Sequence, residues 1–139
     1  MIEPLVRHGE ATARLWEARL RLKALGWRRA LADSTTRDRL EPGITVAEIR
    51  AVERALWRGS RLVPGATCIH RALAGQKMLR RRGLPARVAM GLRKGPTGLE
   101  GHAWLEATHV GELVRLFVAD DAGYKEVGWE QAMNSNLWG

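Results

Sequence analysis

The hydrophobic pattern changes its period at Pro85, and a chain with such a change cannot be all-α or all-β. Before Pro85, apolar residues recur at helical spacing. After it, they alternate as in strands. Pro4 to Ala32 reads as helix, with Leu15, Trp16, Leu22 and Leu25 in step and Gly26 placed to break it in two. The polar run Asp33 to Asp38 reads as a loop and Glu41-Pro42-Gly43 as a turn. Thr45-Val46-Ala47-Glu48 has the form of a capping box and opens a helix to about Arg58, with Val46, Ile49, Val52, Leu56 and Trp57 on one face. Pro64-Gly65-Ala66-Thr67 punctuates the chain again. Cys68 to Arg82 then reads as a helix stopped by Gly83. Beyond Pro85, Ala86–Leu92, His102–Ala107 and Leu113–Asp120 read as three strands, the last two joined around Gly111 as a hairpin. Lys94 to Gly98 reads as a loop. The tail from Asp121 is irregular, with a helical turn near Trp129–Ala132. Helices first and a small antiparallel sheet second make an α+β fold. At 139 residues the chain has room for one domain.

Composition narrows the function classes. With 45% hydrophobic and 27% charged residues the chain is globular, and no apolar run is long enough to cross a membrane. The start, Met1-Ile2-Glu3-Pro4, lacks the basic and apolar regions of a secretory signal. With a single cysteine, no internal disulfide can form, so the cytoplasm is the expected compartment. The net charge of +8 favours a negatively charged partner. No helix-turn-helix or basic-aromatic motif is present, so neither nucleic acid nor a membrane is the expected partner.

One constellation carries chemistry. Cys68 follows a Pro-Gly turn at the start of a helix, where free N–H groups and the helix dipole favour a thiolate and can contribute to an oxyanion hole, so a depressed thiol pKa is expected. A nucleophilic cysteine needs a base and the base an orienting acceptor. His102 begins one strand and Asp120 ends its hairpin neighbour. Strand alternation puts Asp120 on the side of Val114, Leu116 and Val118, shared with His102, and makes Asp121 the fallback.

The same residues resemble a known family. Cys68 opening a helix, Leu79-Arg80-Arg81-Arg82-Gly83-Leu84-Pro85-Ala86-Arg87, and His102-Ala103-Trp104-Leu105-Glu106 are similar to the transglutaminase-like cysteine protease superfamily, and within it to the leader peptidases of lasso-peptide biosynthesis. The resemblance spans about Val63 to Asp121. It implies a papain/transglutaminase-like core in which the cysteine-bearing helix packs on the sheet. It also implies a helical part over 1–62, a catalytic core over 63–126 and a tail over 127–139. The implied triad is Cys68 as nucleophile, His102 as general base and acid, and Asp120 as the residue orienting His102. The implied activity is thiol-protease removal of the leader from a ribosomally made lasso-type precursor peptide, without cofactor or metal. The implied partners are that precursor, a separate small leader-binding recognition protein and the lasso cyclase. The chain departs from the family in a long Glu106–Asp120 interval, in Ala119 beside Asp120, and in Ile69-His70 after the cysteine.

Other assignments remain beside this one. A transglutaminase-like amidase or acyltransferase could use the same dyad on another substrate. A basic nucleic-acid-binding protein is a further class, one that would survive Cys68→Ala. Zinc held by Cys68, His102, an Asp and His70 would want CxxC or HExxH spacing, which is missing. His70 points away from Cys68 on the helix and reads as a surface or supporting residue; His109 reads as solvated, and His8 has no evident partner. Trp16, Trp57 and Trp104 read as core. Arg80-Arg81-Arg82 reads either as charge suited to a helix C-terminus or as a surface for an acidic leader.

Overall fold

The computed structural model describes residues 2–32, 43–118 and 123–134. The chain is α+β, as its change of period requires. Helix α1 (Ile2–Ala32) is followed by α2 (Val46–Gly59) and α3 (Cys68–Arg81), then strands β1 (Ala86–Gly95), β2 (Gly98–His109), β3 (Glu112–Leu116) and β4 (Lys125–Val127), and a short α4 (Trp129–Met133). The strands form one antiparallel sheet in the order β3-β2-β1-β4. Gly26, at φ 78 and ψ 164, kinks α1 as its position suggests. The α2 cap is the expected one: the Glu48 N–H donates to Thr45 Oγ1 at 3.2 Å, and the Thr45 hydroxyl donates to the Glu48 carboxylate at 3.2 Å. Helix α3 ends in a Schellman motif. The Gly83 N–H reaches the Arg80 carbonyl and the Leu84 N–H reaches that of Leu79, both at 2.9 Å, with Gly83 at φ 86.

Helix α3 is the central element, in contact with α1, α2, β1 and β2. One continuous apolar core joins Leu15 of α1, Ile49, Val52 and Leu56 of α2, and Ile69 and Leu79 of α3 to Met90, Leu105 and Leu116 of the sheet. Each such side chain contributes about 1.5–3 kcal/mol by leaving water. This core fixes the start of α3 against β2, where the chemistry-bearing residues lie. Among the described residues, no helix is long and apolar enough to cross a membrane.

Several sequence expectations need correction. β1 and β2 run to a tight hairpin at Pro96-Thr97, with Gly95 paired to Gly98, so most of the expected Lys94–Gly98 loop is strand. β3 stops at Leu116 because Phe117 adopts φ 64, a left-handed conformation that no ladder continues. β4 was not expected from the sequence. It pairs Met90 with Val127 through its backbone, and its Glu126 meets Arg87 at 2.9 and 3.0 Å. Trp16 and Trp57 are not core residues, being 42% and 44% exposed, whereas Trp104 is buried. Val46 and Leu25 also stay exposed although they fall on their helices' apolar faces. The expected loop over 33–38 and the Glu41-Pro42 turn lie outside the described residues.

Candidate active site

Cys68 is the first residue of α3, directly after the N-cap Thr67. His70, at the third helical position, fixes this end. Its Nδ1 accepts from the Thr67 N–H at 2.9 Å and from the Thr67 hydroxyl at 3.0 Å. Burial first, and then Arg19 and Arg71, push the His70 pKa down, so the ring is a neutral acceptor. His70 is therefore a buried helix cap, not a surface group. From α1, the Arg19 guanidinium lies over Gly65 in the preceding turn, so helices α1 and α3 both shape the loop that delivers Cys68.

The Ala103 N–H of β2, one residue beyond His102, is among the groups that draw the Cys68 thiol's pKa down. His102 is half-buried, opposite Gly91 of β1, with Trp104 stacked at 6.2 Å and Tyr124 at 5.3 Å between ring centroids. Its Nε2 is 2.5 Å from the Phe117 carbonyl. A carbonyl only accepts, so Nε2 carries the proton and the neutral ring keeps its lone pair on Nδ1. The structure places Cys68 at the start of α3 and His102 on β2, and gives His102 an orienting acceptor in the Phe117 carbonyl. Asp120 and the fallback Asp121 lie outside the described residues. The sequence choice between them rested on a strand running to residue 120, and β3 ends at Leu116.

Electrostatics correct a second expectation. Burial pushes the Cys68 thiol above its ordinary range, outweighing the Ala103 N–H, the Arg71 guanidinium and the N–H groups of Ile69 and Cys68, which pull it down. Burial also lowers the His102 pKa. The bond to the Phe117 carbonyl opposes this, and Arg71 and Arg93 add to it. Each shift favours the neutral form of its own group, an un-ionised thiol and an un-ionised imidazole. A raised thiol pKa means less thiolate at every pH. Alkylation of Cys68 by iodoacetamide, followed by intact mass, is therefore expected to be slow at pH 6–7 and to rise with a midpoint above the free-thiol value of about 8.5. Rapid labelling at pH 6 would contradict this resting state.

Three further residues shape the site. Arg71, one helical turn after Cys68, stacks its guanidinium 4.1 Å above the Trp57 ring centre, and its Nε is buried with no hydrogen-bond partner. Its i,i+3 spacing from the cysteine was the available signal. Gly91 leaves space for Trp104, whose ring would lie 2.9 Å from an added Cβ. Glu53 of α2 accepts from the Phe117 N–H at 2.7 Å and had no sequence signal. Elsewhere, His109 Nε2 bonds the Ile44 carbonyl at 2.7 Å, so it is not simply solvated. His8 Nδ1 bonds the Pro4 carbonyl at 2.5 Å. Arg82 grips Glu10 at 2.7 and 3.1 Å and Arg81 reaches it at 3.3 Å, so part of the arginine run serves the fold. Among the described residues, no three His, Cys, Asp or Glu side chains gather as metal ligands.

Comparison with known proteins agrees with this architecture. A family model, the transglutaminase-like superfamily, matches residues 12–126. That superfamily brings cysteine-protease and acyltransferase chemistry, in which a thiol carries the acyl group. No curated protein and no solved structure gives a match. With the match covering well over half of its length, the chain belongs to the transglutaminase-like superfamily.

Proposed function

We propose that the protein is a cysteine peptidase that removes the leader from a lasso-type precursor peptide. The observation that carries the chemistry is a cysteine opening a helix that packs on β2, the strand bearing a histidine whose Nε2–H is held by the Phe117 carbonyl. The short motifs shared with lasso leader peptidases support the substrate class. As the thiol attacks the scissile carbonyl, its proton passes to the free nitrogen of His102. The imidazolium is steadied through Nε2–H, and it then protonates the leaving amine. N–H groups at the start of α3 are available to the developing oxyanion. Water, deprotonated by His102, releases the acyl group. Asp120, with Asp121 as the alternative, is the proposed third triad residue, supporting the ring orientation that the Phe117 carbonyl gives through Nε2–H. Precursor peptide, a separate leader-binding protein and the lasso cyclase are the partners in this proposal, and the cytoplasm is its setting.

The superfamily keeps one second reading open, transfer of the acyl group to an amine. One experiment separates the two. The chain is mixed with a leader–core precursor, with and without a leader-binding partner and a primary amine, and products are weighed. Cleavage at one site, giving a free carboxylate and lost in Cys68→Ala, is expected. A product heavier by the amine would favour transfer, and an intact precursor in every mixture would sink the peptidase assignment. Because the His102 pKa lies below its usual 6.5 and the base must be neutral, kcat/KM is expected to rise through an acid limb below pH 6.5 and then level off.

A further inference from the structure

Phe117 is a buried aromatic residue held at φ 64, a conformation that L-residues rarely keep without support. Its two peptide groups face different parts of the protein. Its carbonyl holds His102 Nε2 at 2.5 Å, and its N–H donates to Glu53 Oε2 at 2.7 Å. The other Glu53 oxygen accepts from Arg50 Nη1 at 3.1 Å, and the same nitrogen donates to the Arg115 carbonyl at 2.9 Å. The Phe117 ring packs edge-on to Trp57 of α2 at 6.1 Å. Two turns of α2 thus clamp the end of β3 by its backbone and its ring at the point where the chain leaves the sheet.

We propose that Glu53 is a positioning residue for His102, acting through the Phe117 peptide. It rests on the Cys68–His102 reading and deepens it by placing part of the catalytic support in α2, before the Val63–Asp121 stretch of sequence motifs but within the residues 12–126 that the family model matches. Glu53 does not touch the reacting atoms. With the Phe117 N–H held by Glu53, φ at 64 and the ring packed on Trp57, the following carbonyl is aimed at His102; it selects the tautomer with its lone pair on Nδ1 and keeps accepting the Nε2–H hydrogen bond when the imidazolium forms during attack. Without the carboxylate, the strained turn can relax toward ordinary backbone geometry and release the ring.

The test uses the full chain and p-nitrophenyl acetate, which reports acylation of Cys68 as released nitrophenolate. Wild-type acylation is expected to show the His102-dependent acid limb below pH 6.5 and a plateau. Glu53→Leu, scored as folded by its thermal melt, is expected to lower the plateau about tenfold with KM within about twofold, and to replace the limb with a profile that climbs with thiol ionisation, as His102→Ala does. Glu53→Gln keeps an oxygen for the Phe117 N–H and is expected to stay within about threefold of wild type. If Glu53→Leu does not fold, Glu53→Asp decides: the charge remains but the carboxylate is withdrawn by one methylene, and a partial loss with the same change of profile is expected. A folded Glu53→Leu or Glu53→Asp with the wild-type profile overturns the proposal. A wild-type profile indifferent to His102→Ala instead removes the dyad, and the positioning role with it.

Discussion

Cys68→Ala is expected to abolish turnover while leaving the fold intact, and His102→Ala to be almost as damaging. The loss should approach the ~10⁶-fold scale seen when one member of a nucleophile–base pair is removed. In the proposed mechanism both residues act in one proton transfer, so the double variant should be no worse than Cys68→Ala alone. Neither change should unfold the chain. Cys68 is only half-buried, and alanine suits the first turn of a helix. His102 gives up its stack with Trp104 and its bond to the Phe117 carbonyl, a cost of about 1–2 kcal/mol. Asp120→Ala should be milder than either, because nucleophile and base remain. The measurement is precursor cleavage or ester turnover alongside thermal melts of each variant. Wild-type turnover in a folded His102→Ala protein would remove the histidine from the mechanism. Turnover in Cys68→Ala would remove the thiol chemistry altogether.

How much of this could be read from the sequence follows the range of the interactions involved. The Pro64-Gly65 turn, the Thr45–Glu48 cap and the Gly83 stop are local, and each sits where its residues place it. Cys68 was legible because a helix start carries its own signal, whereas His102, expected to begin a strand, lies inside β2, which already starts at Gly98. The missed features depend on what lies across space. Trp57 falls on the apolar stripe of α2, yet spacing along one helix cannot say how far the neighbouring layer extends, and the ring remains 44% exposed under Arg71. Val114, Leu116 and Val118 alternate as if β3 continued, but the left-handed Phe117 ends it, and alternation cannot register a backbone angle. Glu53 binds a backbone N–H 64 residues away, which no side-chain pattern encodes. The thiol pKa moved against expectation because the helix terminus is a local effect, whereas the burial that overrides it is a property of the packed tertiary structure.

Gly75→Ala is expected to destabilise the protein, although alanine in place of a helical glycine normally stabilises by about 1 kcal/mol. Gly75 lies in the middle of α3 where that helix crosses β2. A Cβ there would stand 2.8 Å from Leu105 Cδ1, 3.1 Å from Phe117 Cε2 and 3.2 Å from Leu56 Cδ1. All three side chains are fully buried, so none can swing into solvent to make room. Overpacking of this kind costs about 1–3 kcal/mol, which at this chain length is a fall in Tm of about 4 °C for each kcal/mol. Leu105→Ala alone should cost about 2–5 kcal/mol by opening a cavity. Together the two changes should be less damaging than their sum by about 1–3 kcal/mol, because the truncated leucine vacates the space that the new methyl needs. Additive costs, or a rise in Tm for Gly75→Ala, would show that α3 and β2 do not approach this closely. The contact also bears on catalysis. Cys68 heads α3, and His102 lies three residues before Leu105 on β2, so in the proposed mechanism a change of helix–strand spacing at Gly75 would be felt at the thiol and imidazole. Forcing the two apart by a fraction of an ångström should lower turnover of the folded Gly75→Ala protein by about tenfold, and Leu105→Ala in the same chain should restore part of it.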